Sequence, residues 1–423
     1  MNLRQFTEWA ETYIISVIRG RRESPWDDVL RGVLFMASRL FRTIVLWRIS
    51  LYRHRLFHNH ALGCQVISIG NLTVGGTGKT PVVEVFSRTL AQKGRRVAVL
   101  SRGYRSKPKP FYRRLLDGLG LEAVESPPRV VSDGERLLLD SEMAGDEPYM
   151  LASNLKNVVV LTDPDRVKSG RHAIRKFNCD TLILDDGFQY LPLRPHVNIL
   201  LVDSSDPFNN HHLLPRGLLR EPIRNLRRAD MIFLTKSDGS PKLKHLKRFI
   251  KRHNHHAEIV ECTHRPQHLQ DVYTKEILDL SHLAGRKVAS ICGIAAPESF
   301  ENFLRNFHSE LVYCERFADH HRYSQQEIID FVNAAALAGA EMVLTTEKDA
   351  VRFPKLDRRD IPVLFMRVEI DILSGQESFD DFISRICFSQ RPSWVAEHFM
   401  DDDDFDDPAD FEHPAYDHSR DGL

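Results

Sequence analysis

Short, continuous apolar runs alternate with amphipathic helical patterns from Gln65 onward. Such runs are typical of strands that are buried on both faces of a parallel sheet. Helical patterns at residues 165–177 and 219–229 fall between the runs. The predicted strands are residues 65–70, 96–101, 157–162, 181–185, 197–202 and 231–235. This alternation predicts an α/β fold with a doubly wound, mostly parallel sheet.

A second α/β pattern occupies the C-terminal part of the chain, beyond a Lys-, Arg- and His-rich stretch at residues 242–256. Its predicted strands are residues 286–292, 311–316, 341–346 and 362–368. We therefore expect a core domain over residues 63–256 and a second, smaller α/β domain over residues 257–395. Residues 396–423 are rich in Asp and poor in apolar side chains, so this tail is expected to be disordered.

Residues 30–57 form one long helical pattern in which apolar positions are interleaved with arginines, and no acid lies between Arg31 and His60. A helix with aromatic and aliphatic residues and a purely basic polar face is typical of an anionic membrane surface. An amphipathic helix packed on the core would give the same apolar spacing. The absence of acids favours the membrane, so residues 1–62 are predicted to be a membrane-facing region.

Composition refines these expectations. At 423 residues the chain is long enough for two domains, and its 58 basic side chains balance 58 acidic ones. Six cysteines lie far apart without a C-x-x-C pair, which argues against a zinc knuckle or disulfide framework and fits a reducing compartment. No run approaches the ~20 apolar residues of a membrane span, and no secretory signal is evident. Neither a nucleic-acid partner nor an obligate protein partner is expected.

The predicted strand at residues 65–70 leads into a glycine-rich turn that a helical pattern follows. Its glycines let backbone N–H groups approach phosphates, its lysine meets the β- and γ-phosphates, and its last threonine ligates Mg²⁺. The usual G-x-x-x-x-G-K-[ST] pattern begins with Gly, where this chain has Thr73; the alternative is a tight turn that happens to contain Gly-Lys-Thr. We predict that ATP or GTP binds the loop residues Thr73, Val74, Gly75, Gly76, Thr77, Gly78, Lys79 and Thr80.

Polar residues at the ends of predicted strands supply further candidate chemistry. Asp185 and Asp186 follow an apolar strand, as the acid of a Walker-B strand does, although a simple turn after a strand gives the same pattern. Thr345–Asp349 also follows a strand, where substrate groups gather in open sheets. The candidate clamps for anionic groups are Arg166, Arg216 and Arg220.

Two more stretches contain acids or imidazoles that could move a proton. Asp146 and Glu147 precede a proline at a predicted helix start, where Asp146 could equally be an N-cap. His320 lies beside acids in Phe317–Tyr323 and could orient a catalytic carboxylate or take a proton, a surface turn being the alternative.

Together and in this order, these motifs resemble the tetraacyldisaccharide 4′-kinase family of the lipid A pathway. The similarity covers most of residues 30–370 and includes the family's Thr in place of the first loop glycine. The matching motifs are Gly70-Asn-Leu-Thr-Val-Gly-Gly-Thr-Gly-Lys-Thr-Pro81, Leu100-Ser-Arg-Gly-Tyr104, Val131-Ser-Asp-Gly134, Gly145-Asp-Glu-Pro148, Asp185-Asp-Gly-Phe-Gln189, Leu219-Arg-Glu-Pro222, Cys292-Gly-Ile-Ala295, Asp319-His320 and Thr345-Thr-Glu-Lys-Asp349.

The resemblance implies transfer of the γ-phosphate of ATP, with Mg²⁺, to the 4′-hydroxyl of an acylated glucosamine disaccharide 1-phosphate. It also implies a peripheral enzyme on the cytoplasmic face of a bacterial inner membrane. By motif position, Asp146 would be the base and His320 its support, with Lys79 and Asp186 completing the catalytic set. The implied metal ligands are Thr80, Glu147 and Asp185 or Asp186, and the implied substrate-binding residues are Arg166, Gln189 and Arg220.

The chain departs from the family where Asp-Asp-Gly-Phe-Gln is usually followed by His. Tyr190 stands there instead, so an imidazole role at this position is lost, although a phenol can still donate a hydrogen bond. The long acidic tail is also outside the family pattern.

Two other functions compete with a lipid-sugar kinase. One is a membrane-recruited P-loop GTPase or ATPase that acts as a conformational switch, since Thr235-Lys-Ser-Asp238 is similar to the guanine-reading motif of GTPases. Several of the acid motifs named above have no counterpart in GTPases, which argues against that function. The other is a nucleotide-binding scaffold that anchors partners at a membrane through residues 30–57.

Overall fold

Strand β1 (Gln65–Asn71) lies inside a thirteen-stranded sheet in a computed structural model of the protein. The structure describes residues 13, 16–18, 24–103, 127–241, 243–294, 297–356 and 361–388. The predicted acidic tail at 396–423 lies outside the described residues, as do most of residues 1–23, Tyr104 and Ala295.

The remaining strands include every strand that the apolar runs predict. Their bounds are β2 Val97–Ser101, β3 Arg129–Ser132, β4 Val158–Thr162, β5 Thr181–Asp185, β6 Val197–Asp203, β7 Met231–Thr235, β8 Glu258–Asp271, β9 Ile277–Leu278, β10 Lys287–Cys292, β11 Glu310–Arg316, β12 Met342–Thr346 and β13 Val363–Ser374. Their order across the sheet is β11-β10-β12-β13-β8-β7-β6-β1-β5-β2-β4-β3, with β9 beside β8.

Most neighbouring strands are parallel, and the exceptions are the antiparallel pairs β3–β4, β8–β13 and β8–β9. In chain order the sheet grows from β1 to one side through β2 and β4 and to the other through β6 and β7. β1 therefore lies at the point where the winding direction changes, and its carboxyl end opens into the crevice where such sheets bind ligands. The mostly parallel, doubly wound fold is confirmed.

Helices cover both faces of the sheet. Their bounds are α1 Pro25–Arg53, α2 Lys79–Gln92, α3 Ser141–Ala144, α4 Asp146–Asn154, α5 Arg166–Phe177, α6 Leu243–His253, α7 Pro297–Asn306, α8 Gln325–Leu337, α9 Glu347–Ala350 and α10 Gln376–Phe388. On one face α2 buries Val82 and Phe86 in a cluster shared with α4 and α10. On the other face α5 buries Val167 and Ala173 against β2 and β5.

The sheet continues without a break from the first α/β pattern into the second. β8 connects them, because its start pairs in parallel with β7 and most of its length pairs antiparallel with β13. The predicted boundary at residue 256 falls between α6 and β8. The division into a core domain and a smaller second domain stays a prediction.

Helix α1 is one long element, as the pattern predicts, but it spans Pro25–Arg53 rather than residues 30–57. The Ser24 backbone N–H donates to Asp27 Oδ2 at 3.1 Å, which satisfies a donor at the helix start. Ser38 Oγ donates to the Leu213 carbonyl at 2.9 Å, and Phe41 packs against the hydrophobic cluster that contains Leu213. The helix therefore touches the body of the protein through one side.

The opposite side of α1 carries an exposed apolar stripe at helical spacing: Trp26, Val29, Val33, Met36, Leu40, Ile44 and Trp47. Exposed apolar stretches of this length mark interaction surfaces on soluble domains. Among the described residues, no helix combines the length and apolar character needed to cross a bilayer.

The prediction of a helix at residues 219–229 is wrong over its first part, since only Ile223–Arg228 forms a short 3₁₀ helix. Residues 218–220 are drawn away from helical geometry by the segment after β1. The Val74 N–H donates to the Leu218 carbonyl at 2.8 Å, and the Arg220 N–H donates to the Leu72 carbonyl at 2.7 Å. These long-range hydrogen bonds use backbone groups that a helix would need. The apolar spacing therefore does not produce a helix at residues 218–220.

We predict that Gly70→Ala lowers the free energy of unfolding by about 1–3 kcal/mol, because an added Cβ would lie 2.7 Å from the Phe188 Cβ and 2.9 Å from its backbone nitrogen. The matched control is Gly32→Ala in α1, where nothing lies within 4 Å and stability should rise by up to about 1 kcal/mol. Denaturant unfolding of both variants measures this; equal stabilities would contradict the close approach at Gly70.

Candidate active site

The glycine-rich loop runs from β1 into the first turn of α2, and its backbone takes positive φ at Gly75 (120°) and Gly78 (77°). Gly78 also leaves room for His264, whose imidazole lies 2.7 Å from where a Cβ would stand. Thr235 Oγ donates to the Thr77 carbonyl at 2.9 Å. The loop is therefore held from below by β7 and β8, with its amides at a helix N-terminus.

Lys79 lies where the loop pattern predicts, beside the acids that follow β5. Its Nζ is 3.1 Å from Asn71 Oδ1 and 3.5 Å from Asp186 Oδ1. Arg220 Nη1 donates to both oxygens of Asp186, at 3.0 and 2.8 Å. Burial opposes ionisation of Asp186, but the charges of Lys79 and Arg220 outweigh it and lower the pKa of this carboxyl. Three predicted site residues are thus in direct contact.

Asp185, the last residue of β5, is buried and accepts a hydrogen bond from Ser101 Oγ at 3.0 Å. Burial and the carboxylates of Glu147 and Asp186 raise the pKa of Asp185 to about 6, against the opposing charge of Lys79. Glu147 is therefore near Asp185, although the two residues belong to different elements. This crowding of acids is relieved by a cation.

Gln189 and the loop each contain a buried polar atom that lacks a hydrogen-bond partner among the described residues. Gln189 Nε2 donates to the Asn71 carbonyl at 3.0 Å. Its Oε1 and the Thr77 Oγ are buried, and neither has a hydrogen-bond partner in the part of the chain that the structure describes. Buried polar atoms of this kind are normally satisfied, so both are available to a bound ligand.

Arg166 is almost fully buried, and its guanidinium lies 4.6 Å from the centre of the Tyr190 ring. The Tyr190 hydroxyl accepts from the Arg166 N–H at 3.0 Å and donates to Asp165 Oδ1 at 3.2 Å. Burial first, then the charge of Asp165, raises the pKa of Tyr190 to about 12. The phenol therefore acts as part of the cap of α5.

Arg216, the third predicted clamp, donates to the Ile18 carbonyl at 3.3 Å, in the N-terminal segment.

A second group of charges surrounds Asp146, the first residue of α4. His320 Nδ1 lies 3.2 Å from Asp146 Oδ2, and Arg352 Nε donates to the same oxygen at 2.7 Å. Lys348 Nζ lies 3.3 Å from His320 Nε2, and Arg352 Nη2 lies 3.2 Å from His320 Nδ1. Burial opposes ionisation of Asp146, but His320 and Arg352 lower its pKa. The predicted pairing of Asp146 with His320 is present in the geometry.

The Thr345–Asp349 motif contacts the second group of charges and an arginine of β13. Lys348 Nζ is 3.2 Å from Asp319 Oδ1, and Asp349 accepts from Arg352 Nη1 at 3.1 Å. Glu347 accepts from Arg367 Nη1 at 2.8 Å. The motif thus fixes the surroundings of His320 and Arg352 as well as its own strand end.

Glu347 also belongs to a buried ion-pair cluster that joins α2 to β13. Arg367 Nη2 donates to Glu84 of α2, and Asn154 Nδ2 of α4 donates to Glu347 Oε1 at 2.6 Å. Glu84 and Arg367 are both buried. Burial of charge is tolerated because each group has an opposite partner.

Sequence reasoning missed Arg352, Arg367 and Glu84. Each is an ordinary charged residue inside a helical or strand pattern, and only contacts between distant parts of the chain give them a place in the site. The Thr345-Thr-Glu-Lys-Asp349 motif (TTEKD) gave a signal in the sequence for Arg352, which follows it by three residues.

The Thr235–Asp238 segment, which resembles a guanine-reading motif, is held by contacts within the protein. Lys236 Nζ is 2.5 Å from Asp203 Oδ2, and Ser237 Oγ donates to Glu261 Oε2 at 3.0 Å. Together with the bond from Thr235 to the loop, these contacts tie the end of β7 to its neighbours.

A glycine-rich loop between a buried strand and a helix, with acids at the neighbouring strand ends, defines an α/β nucleotide-binding protein of the P-loop type. A model of the tetraacyldisaccharide-1-P 4′-kinase family matches residues 30–387. The chain belongs to this family.

Relatives and a solved structure agree with this assignment. The tetraacyldisaccharide 4′-kinase of Halothermothrix orenii is 36% identical over 358 residues, covering 82% of this chain and 89% of the relative. That of Anaeromyxobacter dehalogenans is 38% identical over 363 residues, covering 84% and 90%. The "apo" form of LpxK from Aquifex aeolicus, solved in complex with ATP, is 28% identical with a TM-score of 0.65 and covers 85% of this chain and all of that one.

We predict that Lys79→Ala weakens ATP binding and lowers kcat by about 10²-fold, because an ammonium that stabilises phosphate charge is lost. The matched control is Lys93→Ala, which removes an exposed ammonium at the opposite end of α2. Isothermal titration with ATP and a steady-state assay measure both effects. Wild-type binding and turnover in Lys79→Ala would contradict the placement of phosphates at this loop.

Proposed function

We propose that this protein transfers the γ-phosphate of ATP to the 4′-hydroxyl of tetraacyldisaccharide 1-phosphate in lipid A biosynthesis. Membership of the 4′-kinase family over residues 30–387 is the observation that carries this function. The family makes the chain an ATP-dependent kinase with a hydroxyl acceptor, and the ATP-bound relative supports ATP as the donor. The switch alternative is not favoured, since the family is one of phosphate-transferring enzymes.

We assign the triphosphate to the loop Thr73–Thr80. Backbone amides at the start of α2, the Lys79 ammonium and the free Thr77 hydroxyl supply donors to phosphate oxygens. Arg220 and Arg166 are the further cations nearest the acids after β5. Because phosphoryl transfer depends on positioning and charge neutralisation, this set covers the donor side of the reaction.

The residues present fit a magnesium ion. Among the described residues, no three His, Cys, Asp or Glu side chains form a metal cluster. Magnesium commonly takes only one or two carboxylates together with substrate phosphates. Burial, followed by the charges of Glu147 and Asp186, raises the pKa of Asp185 to about 6. Asp185, Glu147 and the Thr80 hydroxyl would hold the magnesium ion. When such an ion is bound, charge on the β- and γ-phosphates is neutralised.

We assign Asp146 as the base of the reaction and His320 as its support. The acceptor oxygen forms a bond to the γ-phosphorus while the bond to the bridging oxygen of ADP breaks, and the hydroxyl proton passes to Asp146. The ionised state of Asp146 is favoured by its neighbours, since His320 and Arg352 lower its pKa. Asp186 and Gln189, at the adjacent strand end, would complete the surroundings of the transferred group.

We also place the enzyme on the cytoplasmic face of the bacterial inner membrane, with α1 as the contact. The exposed apolar stripe of α1 matches the acylated substrate, which resides in a bilayer. Exposed Arg39 and Arg48 on the same helix add attraction to anionic headgroups.

The decisive test of function is mass spectrometry of tetraacyldisaccharide 1-phosphate in detergent after incubation with enzyme, ATP and Mg²⁺. We expect the acceptor to gain one phosphoryl group and ATP hydrolysis without acceptor to be slow. Asp146→Asn should lower kcat by about 10²-fold, whereas Glu142→Gln, an exposed acid nearby, should not. A strong preference for GTP without stimulation by lipid would count against the kinase.

The membrane contact is tested with Leu40→Ser, Ile44→Ser and Trp47→Ser combined, all on the exposed stripe. Each change removes apolar side-chain area that would be buried in the membrane. The fraction of protein that floats with anionic lipid vesicles should therefore fall by about tenfold or more. The control is Leu337→Ser, which alters an even more exposed leucine on α8. Unchanged flotation of the triple variant would mean that α1 serves another purpose.

A further inference from the structure

Arg352 is the most enclosed cation beside the proposed base. Its side chain has no solvent exposure, and it lies just after α9. Nε donates to Asp146 Oδ2 at 2.7 Å, while Nη1 donates to Asp349 Oδ1 at 3.1 Å and to the Gly293 carbonyl at 3.4 Å. The guanidinium therefore connects a carboxylate at the start of α4 with one at the end of the TTEKD motif.

Asp349 is itself held rigidly. Its side chain is fully buried and accepts from the Tyr323 hydroxyl at 3.2 Å and from Thr346 Oγ at 2.6 Å. The Asp349 backbone N–H donates back to Thr346 Oγ at 3.2 Å. With its carboxylate held by these two hydroxyls, Asp349 presents Oδ1 to Arg352 in a defined orientation.

The two oxygens of Asp146 have different surroundings. Oδ2 faces both Arg352 Nε and His320 Nδ1, whereas the contact at Oδ1 is the longer one, 3.6 Å from Arg322 Nη2. A guanidinium whose Nε is locked on one oxygen sets the rotation of the carboxylate. Among the described residues, the short contacts from Arg352 and His320 are made to Oδ2 rather than to Oδ1.

We propose that Arg352 is a positioning residue for phosphoryl transfer, which holds Asp146 by Oδ2 and leaves Oδ1 to take the acceptor's proton. Asp349 acts one step further back, by holding Arg352. This inference rests on the proposed role of Asp146 as base. Neither residue touches the substrate in this scheme, so their effect is on the orientation of Asp146.

The test compares Arg352→Gln, Arg352→Lys and Asp349→Asn with Arg286→Gln, a control at the opposite, amino-terminal end of β10 that breaks an exposed ion pair with Glu341. We expect Arg352→Gln to lower kcat by about 10²-fold, as for a misplaced catalytic group, with KM for ATP within about twofold of wild type. Arg352→Lys should recover part of the loss because it keeps the charge, and Asp349→Asn should give an intermediate decrease.

The split between kcat and KM separates positioning from simple loss of stability. A misplaced base slows the chemical step alone, so kcat should fall in Arg352→Gln while KM for ATP stays near the wild-type value. Arg286→Gln should leave both constants unchanged. Thermal unfolding establishes which variants are folded, and Arg352→Lys with Asp349→Asn carry the test if Arg352→Gln is not.

Folded Arg352 variants with wild-type kcat would overturn the proposal, as would a lower kcat accompanied by a similar loss of ATP binding. The outcome for Asp146→Asn distinguishes the two levels of inference. If Asp146→Asn is fully active, the assignment of the base fails; if it is inactive while the Arg352 variants behave as wild type, only the positioning role fails.

Discussion

Carboxylates from β5 and the start of α4 are crowded at one edge of the sheet, where burial and mutual repulsion raise the pKa of Asp185. Lys79 of the loop and Arg220 of the 218–220 segment oppose this repulsion at Asp186. Lys79 follows β1 through the loop, and the Arg220 N–H donates to the Leu72 carbonyl just after β1. The glycine-rich loop, the strand ends and the segment behind them must therefore fold as one arrangement, because none of their charges is stable alone.

Consecutive residues of α4 connect this arrangement with the second group of charges. Glu147 adds its charge to the surroundings of Asp185, while Asp146 turns to His320 and Arg352. A helix start can direct neighbouring side chains to different sides, since successive residues are rotated by about 100°. Donor-side and acceptor-side chemistry are thus joined through a single peptide bond, which keeps the proposed base at a fixed distance from the proposed metal ligands.

Local signals in the sequence were sufficient for the strands, for the loop and for the acids at strand ends, because parallel strands deliver their carboxyl ends to one edge. They were insufficient where distant segments compete for backbone groups. Leu219 and Arg220 read as helical, but bonds to residues after β1 hold them in extended form. Arg352 and Arg367 could not be singled out, because a lone arginine gains meaning only from partners brought near by the fold.

The cluster of Glu84, Arg367 and Glu347 has a mechanical consequence. It couples the helix that follows the phosphate loop to β13, on the far side of β7 and β8. Moving one half of the sheet away from the other would separate the buried Arg367 guanidinium from Glu84 and Glu347, at a cost of about 3–5 kcal/mol. The acylated acceptor would therefore meet a sheet edge that these ion pairs already hold together.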